Sequence, residues 1–144
     1  MPQKQMGRSI VAVLAGLIVG AALSIGTDAV FHAARVFPPL GQPMSDALLL
    51  LATVYRTIYS VAGAYITARL APRLPLQHAL ALGAIGFVIC AAGALVAWNR
   101  PEFGPHWYPI ALTVLAVPQC WLGAKLFILR SSASTARGAP VREL

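Results

Sequence analysis

A single arginine, Arg56, lies near the middle of the long apolar segment 45–70, and its type and position could support chemistry inside a membrane. At about 1.5 Å per helical residue, Arg56 would lie roughly 16 Å from the start of the segment. That is close to the midplane of a hydrocarbon layer about 30 Å thick. Inserting an arginine there costs on the order of 2.5–3.5 kcal/mol, so we expect Arg56 to face other helices and to be paired.

Asp28 is the predicted partner of Arg56, because it lies in the preceding apolar segment and toward the same side of the membrane. An axial gap of roughly 8–10 Å separates the two residues, and an arginine that reaches outward bridges part of it. Tyr55, Tyr59 and Ser60 lie beside Arg56 and can add hydrogen bonds. We favour a buried ion pair that fixes which helices pack together. The alternatives are a site for an anion or a lipid headgroup, or a proton-coupled step at Asp28.

Other groups with potential chemistry carry no motif. His32, Glu102 and His106 lie toward the same side but follow no metal-binding spacing, so we predict no metal. The sequence contains no HExxH, GxSxG, P-loop or CxxC pattern, so we predict no catalytic residue, no enzyme activity and no cofactor. Cys90 and Cys120 both lie in apolar segments, where they are expected to act as small packing residues.

The composition indicates a lipid-exposed chain. Hydrophobic residues make up 58% of it and charged residues 10%, whereas soluble domains carry about 25% charged residues. The formal charge of +7 comes from basic residues that flank apolar segments, a pattern typical of membrane topology signals and not of nucleic-acid binding. A soluble enzyme domain, a nucleic-acid binder and a secreted protein are therefore excluded, and the lipid bilayer is the first expected partner.

Four apolar segments are each long enough to cross a bilayer at about 20 residues per span. The predicted fold is an all-α, four-transmembrane-helix bundle forming one domain over residues 1–130. The polar tail, 131–144, is predicted to be disordered. A cleaved signal peptide is the alternative for the first span, although its apolar run exceeds a signal core of about 7–15 residues. The predicted spans are 9–32, 45–70, 77–98 and 107–129.

Basic residues are distributed unequally between the two ends of the predicted spans. Eight lie on the side of both termini and two on the other side, apart from Arg56. This bias predicts that the N- and C-termini are cytoplasmic. The two groups are Lys4, Arg8, Arg69, Arg73, Lys125, Arg130, Arg137 and Arg142, and Arg35 and Arg100.

Small residues are expected to bring the helices together, because lipid tails are as apolar as leucine and close packing must supply the attraction. The predicted packing seam consists of Gly16, Gly20, Gly63, Gly83, Gly86 and Gly93. Spans one and three share glycines at one offset, Gly16 with Gly83, and residues 64–70 resemble residues 120–126. A duplicated helical hairpin, two plus two, is therefore an open possibility.

Two stretches resemble a known group of proteins. The Tyr55-Arg56-Thr57 core and the segment from Gly104 to Pro109, within residues 53–126, resemble small four-span membrane proteins of bacteria. That family is uncharacterised, so the resemblance implies a four-span fold and a bacterial cytoplasmic membrane but no activity.

The function predicted from the sequence is non-enzymatic and depends on helix association. The protein would act as a homo-oligomer or as a small subunit of a membrane complex, with Arg56 paired to Asp28 inside the bundle. One alternative is a small transporter or channel-like carrier that uses Arg56 as an intramembrane anion site. A weaker alternative is a lipid- or quinone-binding module with Trp107 and Tyr108 at headgroup level. What Arg56 faces distinguishes them: a sealed interior, water, or an opening toward the bilayer.

Overall fold

The structure, a computed structural model, describes residues 2–137. Within that range the chain contains four α-helices, one short 3₁₀ turn and no strand, which confirms the predicted all-α class. The elements are α1 (Pro2–Ala33), α2 (Asp46–Leu70), α3 (Pro75–Ala97), the 3₁₀ turn Pro101–Phe103, and α4 (Trp107–Arg137).

All four helices are long and apolar enough to cross a membrane, as in a multi-pass membrane protein. The shortest, α3, has 23 residues, which gives about 34 Å of helix against a hydrocarbon core of about 30 Å. Mean hydropathy reaches 2.3 in α1 and 2.4 in α3, but only 1.4 in α2 and 1.7 in α4. The chain therefore contains two strongly apolar helices and two more polar ones.

The more polar helices occupy the centre of the bundle. Helices α2 and α4 pack against each other, α1 packs mainly on α2, and α3 packs mainly on α4. A smaller contact joins α3 to α2, and the contact between α1 and α3 is smaller again. Each hairpin thus places its second helix at the centre and its more apolar first helix toward lipid, which is the arrangement expected of a duplicated hairpin.

The tight connection between α2 and α3 makes these helices antiparallel neighbours. The backbone N–H of Ala71 donates to the carbonyl of Thr67 at 3.0 Å and closes the last turn of α2. Leu74 then adopts a left-handed backbone conformation with φ of 49°. Pro75 begins α3, where its missing N–H costs nothing because first-turn amides have no partner inside a helix.

The first and last helices extend beyond their predicted spans. Helix α1 begins at Pro2 instead of residue 9, and α4 continues to Arg137 instead of ending at residue 129. Residues 131–137 were predicted to be disordered but are helical, and residues 138–144 lie outside the described range. The hydroxyls of Ser131 and Ser132 donate to carbonyls one turn earlier, at 3.0 and 3.1 Å. Extending an established helix costs far less than nucleating one, so the polar composition alone did not end it.

Two sides of the bundle are used as reference below. The termini side is where α1 begins, α4 ends and residues 71–74 join α2 to α3. The loop side carries the two longer connections, residues 34–45 and 98–106. The core differs between them. Toward the termini side it consists mostly of small residues, namely Ala64, Ala68, Ala79, Leu82, Cys120 and Ala124. Toward the loop side it is largely aromatic, with Phe37, Ala52 and Tyr55 buried and Phe31, Tyr59 and Tyr108 packed against them.

Candidate functional site

Helix α1 is positioned on α2 by direct backbone contact at glycines. A Cβ atom added to Gly16 would overlap the carbonyl oxygen of Gly63 and the hydroxyl of Thr67. One turn further along, a Cβ on Gly20 would lie 3.5 Å from the carbonyl oxygen of Tyr59, which is ordinary contact. Gly16 and Gly63 therefore form the closest approach of this pair, and Gly20 lies at its edge.

The second hairpin has an equivalent approach. A Cβ on Gly83 would lie 3.1 Å from the Cβ of Cys120, whereas a Cβ on Gly86 would lie 3.8 Å from the Cβ of Ala116. The matched glycines Gly16 and Gly83 thus each mark the point where a hairpin's two helices come closest.

Two further glycines, Gly93 and Gly123, differ in how closely they approach a neighbouring helix. Gly93 was predicted to belong to it, but a Cβ there would meet no atom within 4 Å, so Gly93 is not a close-packing position. Two crossing helices stay close over only a few turns, and Gly93 lies about 15 Å along the helix from Gly83. By contrast, Gly123 lies at the α2–α4 crossing, where a Cβ would overlap the carbonyl oxygen of Val61.

The structure brings Arg56 and Asp28 together as an ion pair between α2 and α1. Arg56 Nη2 donates to Asp28 Oδ2, and the hydroxyl of Tyr55 donates to Asp28 Oδ1. Both carboxylate oxygens are therefore occupied by α2 side chains. Charge-assisted hydrogen bonds of this kind are stronger than neutral ones, so this cluster attaches α1 to α2 toward the loop side.

The remaining residues of the predicted site, Tyr59 and Ser60, lie about one turn further along α2 than Arg56. The hydroxyls of Tyr59 and Thr27 share a hydrogen bond of 2.9 Å, which adds a second contact to α1. Ser60 is half-buried and lines a cavity together with Arg56. The predicted site thus divides into a paired part, which holds α1, and a part that faces open space.

Arg56 retains donor capacity beyond its pair with Asp28. A guanidinium carries five N–H donors, and Arg56 Nε is buried without a hydrogen-bond partner among the described residues. The side chains of Arg56 and Asp28 are 33% and 27% exposed, so the pair is not sealed. The structure therefore places a paired but accessible cation inside the bundle.

Arg56 lies in the wall between two cavities. The loop-side cavity, of about 320 Å³, is lined by Asp28, Tyr55 and Arg56 and roofed by the connection from Phe37 to Met44. The central cavity, also about 320 Å³, has walls from α1 and α3 and a floor from α2 and α4. Its polar lining residues are Ser24, Arg56, Ser60 and Gln119.

The loop-side surface contains aromatic and histidine contacts that stand apart from Arg56. The ring of His106 stacks on Trp98 at 4.4 Å, and its Nε2 lies 2.8 Å from the Trp98 carbonyl oxygen. The indole of Trp107 donates to Asp46 Oδ1 at 2.9 Å. Within residues 2–137, no group of three or more His, Cys, Asp or Glu side chains is placed to hold a metal ion.

Three positions lie outside the site residues predicted from the sequence. Thr27 is a hydrogen-bond partner, Gln119 lines the central cavity, and Phe37, within the first long connection, is only 5% exposed. Thr27 lies one residue before Asp28, and Gln119 follows Pro118, so their polarity within apolar segments was a signal. Nothing local indicates that Phe37 folds back onto Phe31 and Tyr55, because this depends on the path of the loop.

Comparison of the chain with models of protein families, with curated proteins and with solved structures finds no match.

Proposed function

We propose that the protein is a non-enzymatic, multi-pass protein of a bacterial cytoplasmic membrane that acts through helix association, as a homo-oligomer or as a small subunit of a membrane complex. The observation that carries the proposal is an uncovered small-residue face on α1. Ala22, Gly26, Ala29 and Ala33 are all exposed, and a Cβ on Gly26 would meet no atom within 4 Å.

The spacing of this face supports association. Residues separated by four, three and four positions lie on one side of a helix. This side is opposite to Gly16 and Gly20, which face α2. Small residues on a membrane helix allow a second helix to approach closely, and close packing is the main attraction between helices in lipid. Since α1 also has the smallest buried share of the four spans, 11%, most of its surface is available to a partner.

The Arg56–Asp28 pair fits this proposal as an internal attachment. A helix that presents a partner surface must itself be held in a fixed orientation. The ion pair and the Tyr59–Thr27 hydrogen bond hold α1 toward the loop side, and Gly16 fixes it nearer the termini side. The ion pair thus orients α1 so that its small-residue face points outward.

Cross-linking in intact membranes tests the proposal. Gly26→Cys is placed in a background with Cys90→Ala and Cys120→Ala, and disulfide-linked dimers are measured after mild oxidation. A photo-reactive residue at Ala22 captures partners other than a second copy. The matched control is the same change at Leu23, which is 43% exposed on another face of α1.

We expect either a disulfide-linked dimer of the chain at position 26 or one defined larger adduct at position 22. Neither product is expected at position 23. The absence of product at positions 22 and 26 would contradict association through this face. Equal amounts of product at positions 22, 23 and 26 would contradict it as well.

An anion carrier is the second candidate, and the position of Arg56 between two cavities favours it. Asp28 already neutralises much of the charge that would attract an anion to Arg56, which is why we place this function second. In the same cysteine-free background, Ser60→Cys, which keeps Arg56 and lines the same cavity, is treated with a membrane-impermeant thiol reagent from each side. Labelling from one side that added anions slow down would favour the carrier, and resistance from both sides would eliminate it.

We further propose that the termini side is cytoplasmic, because the sequence segments assigned to it contain eight basic residues, against two in those of the loop side. A fluorescent protein fused to the C-terminus should fluoresce in bacteria, and alkaline phosphatase fused there should be inactive. The opposite pair of results would reverse the topology.

A further inference from the structure

The central cavity between α1 and α3 has the composition of a ligand site, and we propose that it binds a quinone-type lipid, a neutral ring bearing carbonyl oxygens with an apolar tail. This goes beyond association, since it assigns a ligand to an internal space. Small-molecule sites are typically mostly apolar cavities of about 300–1,000 Å³ with a few placed polar groups. The cavity measures about 320 Å³, and Arg56, Ser60 and Gln119 are polar groups in an otherwise mainly apolar lining.

The entrance to the cavity lies between two lipid-facing helices. Ile25 of α1 and Ile89 of α3 both line the cavity, and they are 67% and 55% exposed. In a membrane, side chains exposed on α1 and α3 face lipid. A ligand would therefore enter sideways from the bilayer, and its tail would remain between Ile25 and Ile89. This selects a molecule that dissolves in lipid over one that dissolves in water.

The polar lining selects a hydrogen-bond acceptor. Arg56 can only donate hydrogen bonds, whereas Ser60 and Gln119 can donate or accept. The lining includes no Asp or Glu, because Asp28 contributes to the loop-side cavity instead. The charge on the wall of the central cavity is therefore positive, and it complements an electron-rich oxygen.

The depth of Arg56 selects a neutral acceptor over a charged one. Arg56 follows the first residue of α2 by ten positions, or about 15 Å of helix. An ionised phosphate or carboxylate would have to leave the interface and lose its hydration to reach that depth, which is far more costly than moving a carbonyl group. Asp28 already neutralises much of the charge of Arg56. A carbonyl oxygen satisfies the remaining donors without adding charge.

Two glycines on α3 provide a matched pair of variants. Gly86 lines the central cavity, and a Cβ there would make ordinary contact, 3.8 Å from Ala116 Cβ, so a larger side chain adds volume at the cavity wall. Gly93 lies on the same helix outside this cavity, and a Cβ there would meet no atom within 4 Å. Gly86→Leu and Gly93→Leu make the same chemical change and gain the same helix propensity, but only Gly86→Leu fills the proposed site.

The test measures equilibrium binding of decylubiquinone to the purified full-length chain in nanodiscs. This probe has a fully substituted ring, so it cannot add to Cys90. We expect saturable binding to the wild type and to Gly93→Leu with Kd values within about twofold of each other. We expect binding to Gly86→Leu to be weaker by about tenfold or more, and Ser60→Ala to weaken binding about threefold.

Equal affinities of the wild type and Gly86→Leu, or no saturable binding to the wild type, would overturn the proposal. Oleate and phosphatidylglycerol serve as competitors, and displacement by either at the concentration of the quinone would show a general acyl-chain groove and overturn the assignment of a carbonyl ligand. Thermal unfolding of each variant verifies that it is folded. Cross-linking at position 26 in Gly86→Leu separates this result from the proposed association, which should be unchanged.

Discussion

The termini side and the loop side of the bundle are built on different principles. Toward the termini side, the helices touch through backbone, and a single added carbon at Gly16, Gly63 or Gly123 would overlap a neighbouring helix. Toward the loop side, Arg56 pairs with Asp28, Tyr59 bonds to Thr27, and cavities lie beside Arg56. At Gly16 and Gly63 the backbones touch, so nothing fits between α1 and α2 there, whereas the side chain of Arg56 borders two cavities. The same pair of helices, α1 and α2, is therefore held by backbone contact toward one end and by polar side chains toward the other.

The largest effect should come from disrupting the closely packed end. In Gly16→Leu, the new side chain meets the Gly63 carbonyl and the Thr67 hydroxyl, and backbone cannot move aside cheaply. We expect a loss of about 3 kcal/mol, or failure to fold, measured as thermal unfolding in detergent. Gly26→Leu on the same helix is the control, because a Cβ there meets no atom within 4 Å. Similar losses in both variants would show that the Gly16 contact is not what holds α1.

A smaller effect should follow from breaking the ion pair at the other end. Asp28→Leu leaves Arg56 inside the bundle without its carboxylate, and the expected loss is about 2 kcal/mol, between the values for exposed and buried pairs. The double variant Asp28→Leu with Arg56→Leu should recover most of this loss, since replacing both charges by apolar groups is often neutral. Thermal unfolding of the two variants measures both effects. If the double variant were less stable than Asp28→Leu alone, the unpaired charge of Arg56 would not be the cause of the stability loss.

A neutral hydrogen bond on the loop side should contribute less again. Tyr59→Phe removes the 2.9 Å bond to Thr27 but keeps the ring, and the expected loss is about 1 kcal/mol. Tyr65→Phe, whose ring packs on Phe127, is the matched control. Urea or heat unfolding in detergent compares the two, and a larger loss in Tyr65→Phe would refute the assigned role of Tyr59.

The smallest effect is expected at the membrane boundary. Trp107→Phe removes the exposed hydrogen bond to Asp46 that joins the first turns of α4 and α2. Surface substitutions of this kind usually change stability by less than about 0.5 kcal/mol. A loss as large as that of Asp28→Leu, measured in the same unfolding assay, would show that the polar attachment extends to the boundary.

The contacts at the two ends also differ in how well the sequence predicts them. Four helices follow from hydropathy alone, and the pairing of Arg56 with Asp28 follows from the cost of an isolated charge in lipid. The glycine stripe on α3 predicted Gly93 as a contact, because periodicity identifies a face but not the height at which helices cross. Cavities are harder still, since their volume depends on how far α1 and α3 stand apart.

The lengths of α1 and α4 have a mechanical consequence. They contain 32 and 31 residues, or about 45–50 Å of helix, against a hydrocarbon thickness of about 30 Å. The surplus projects on the termini side, where it carries Lys4, Arg8 and Arg130. Moving the protein deeper into the membrane would draw these charged side chains into the hydrocarbon layer, which is costly. We therefore expect the protein to keep one height in the membrane and to adapt to a thinner bilayer by tilting its helices.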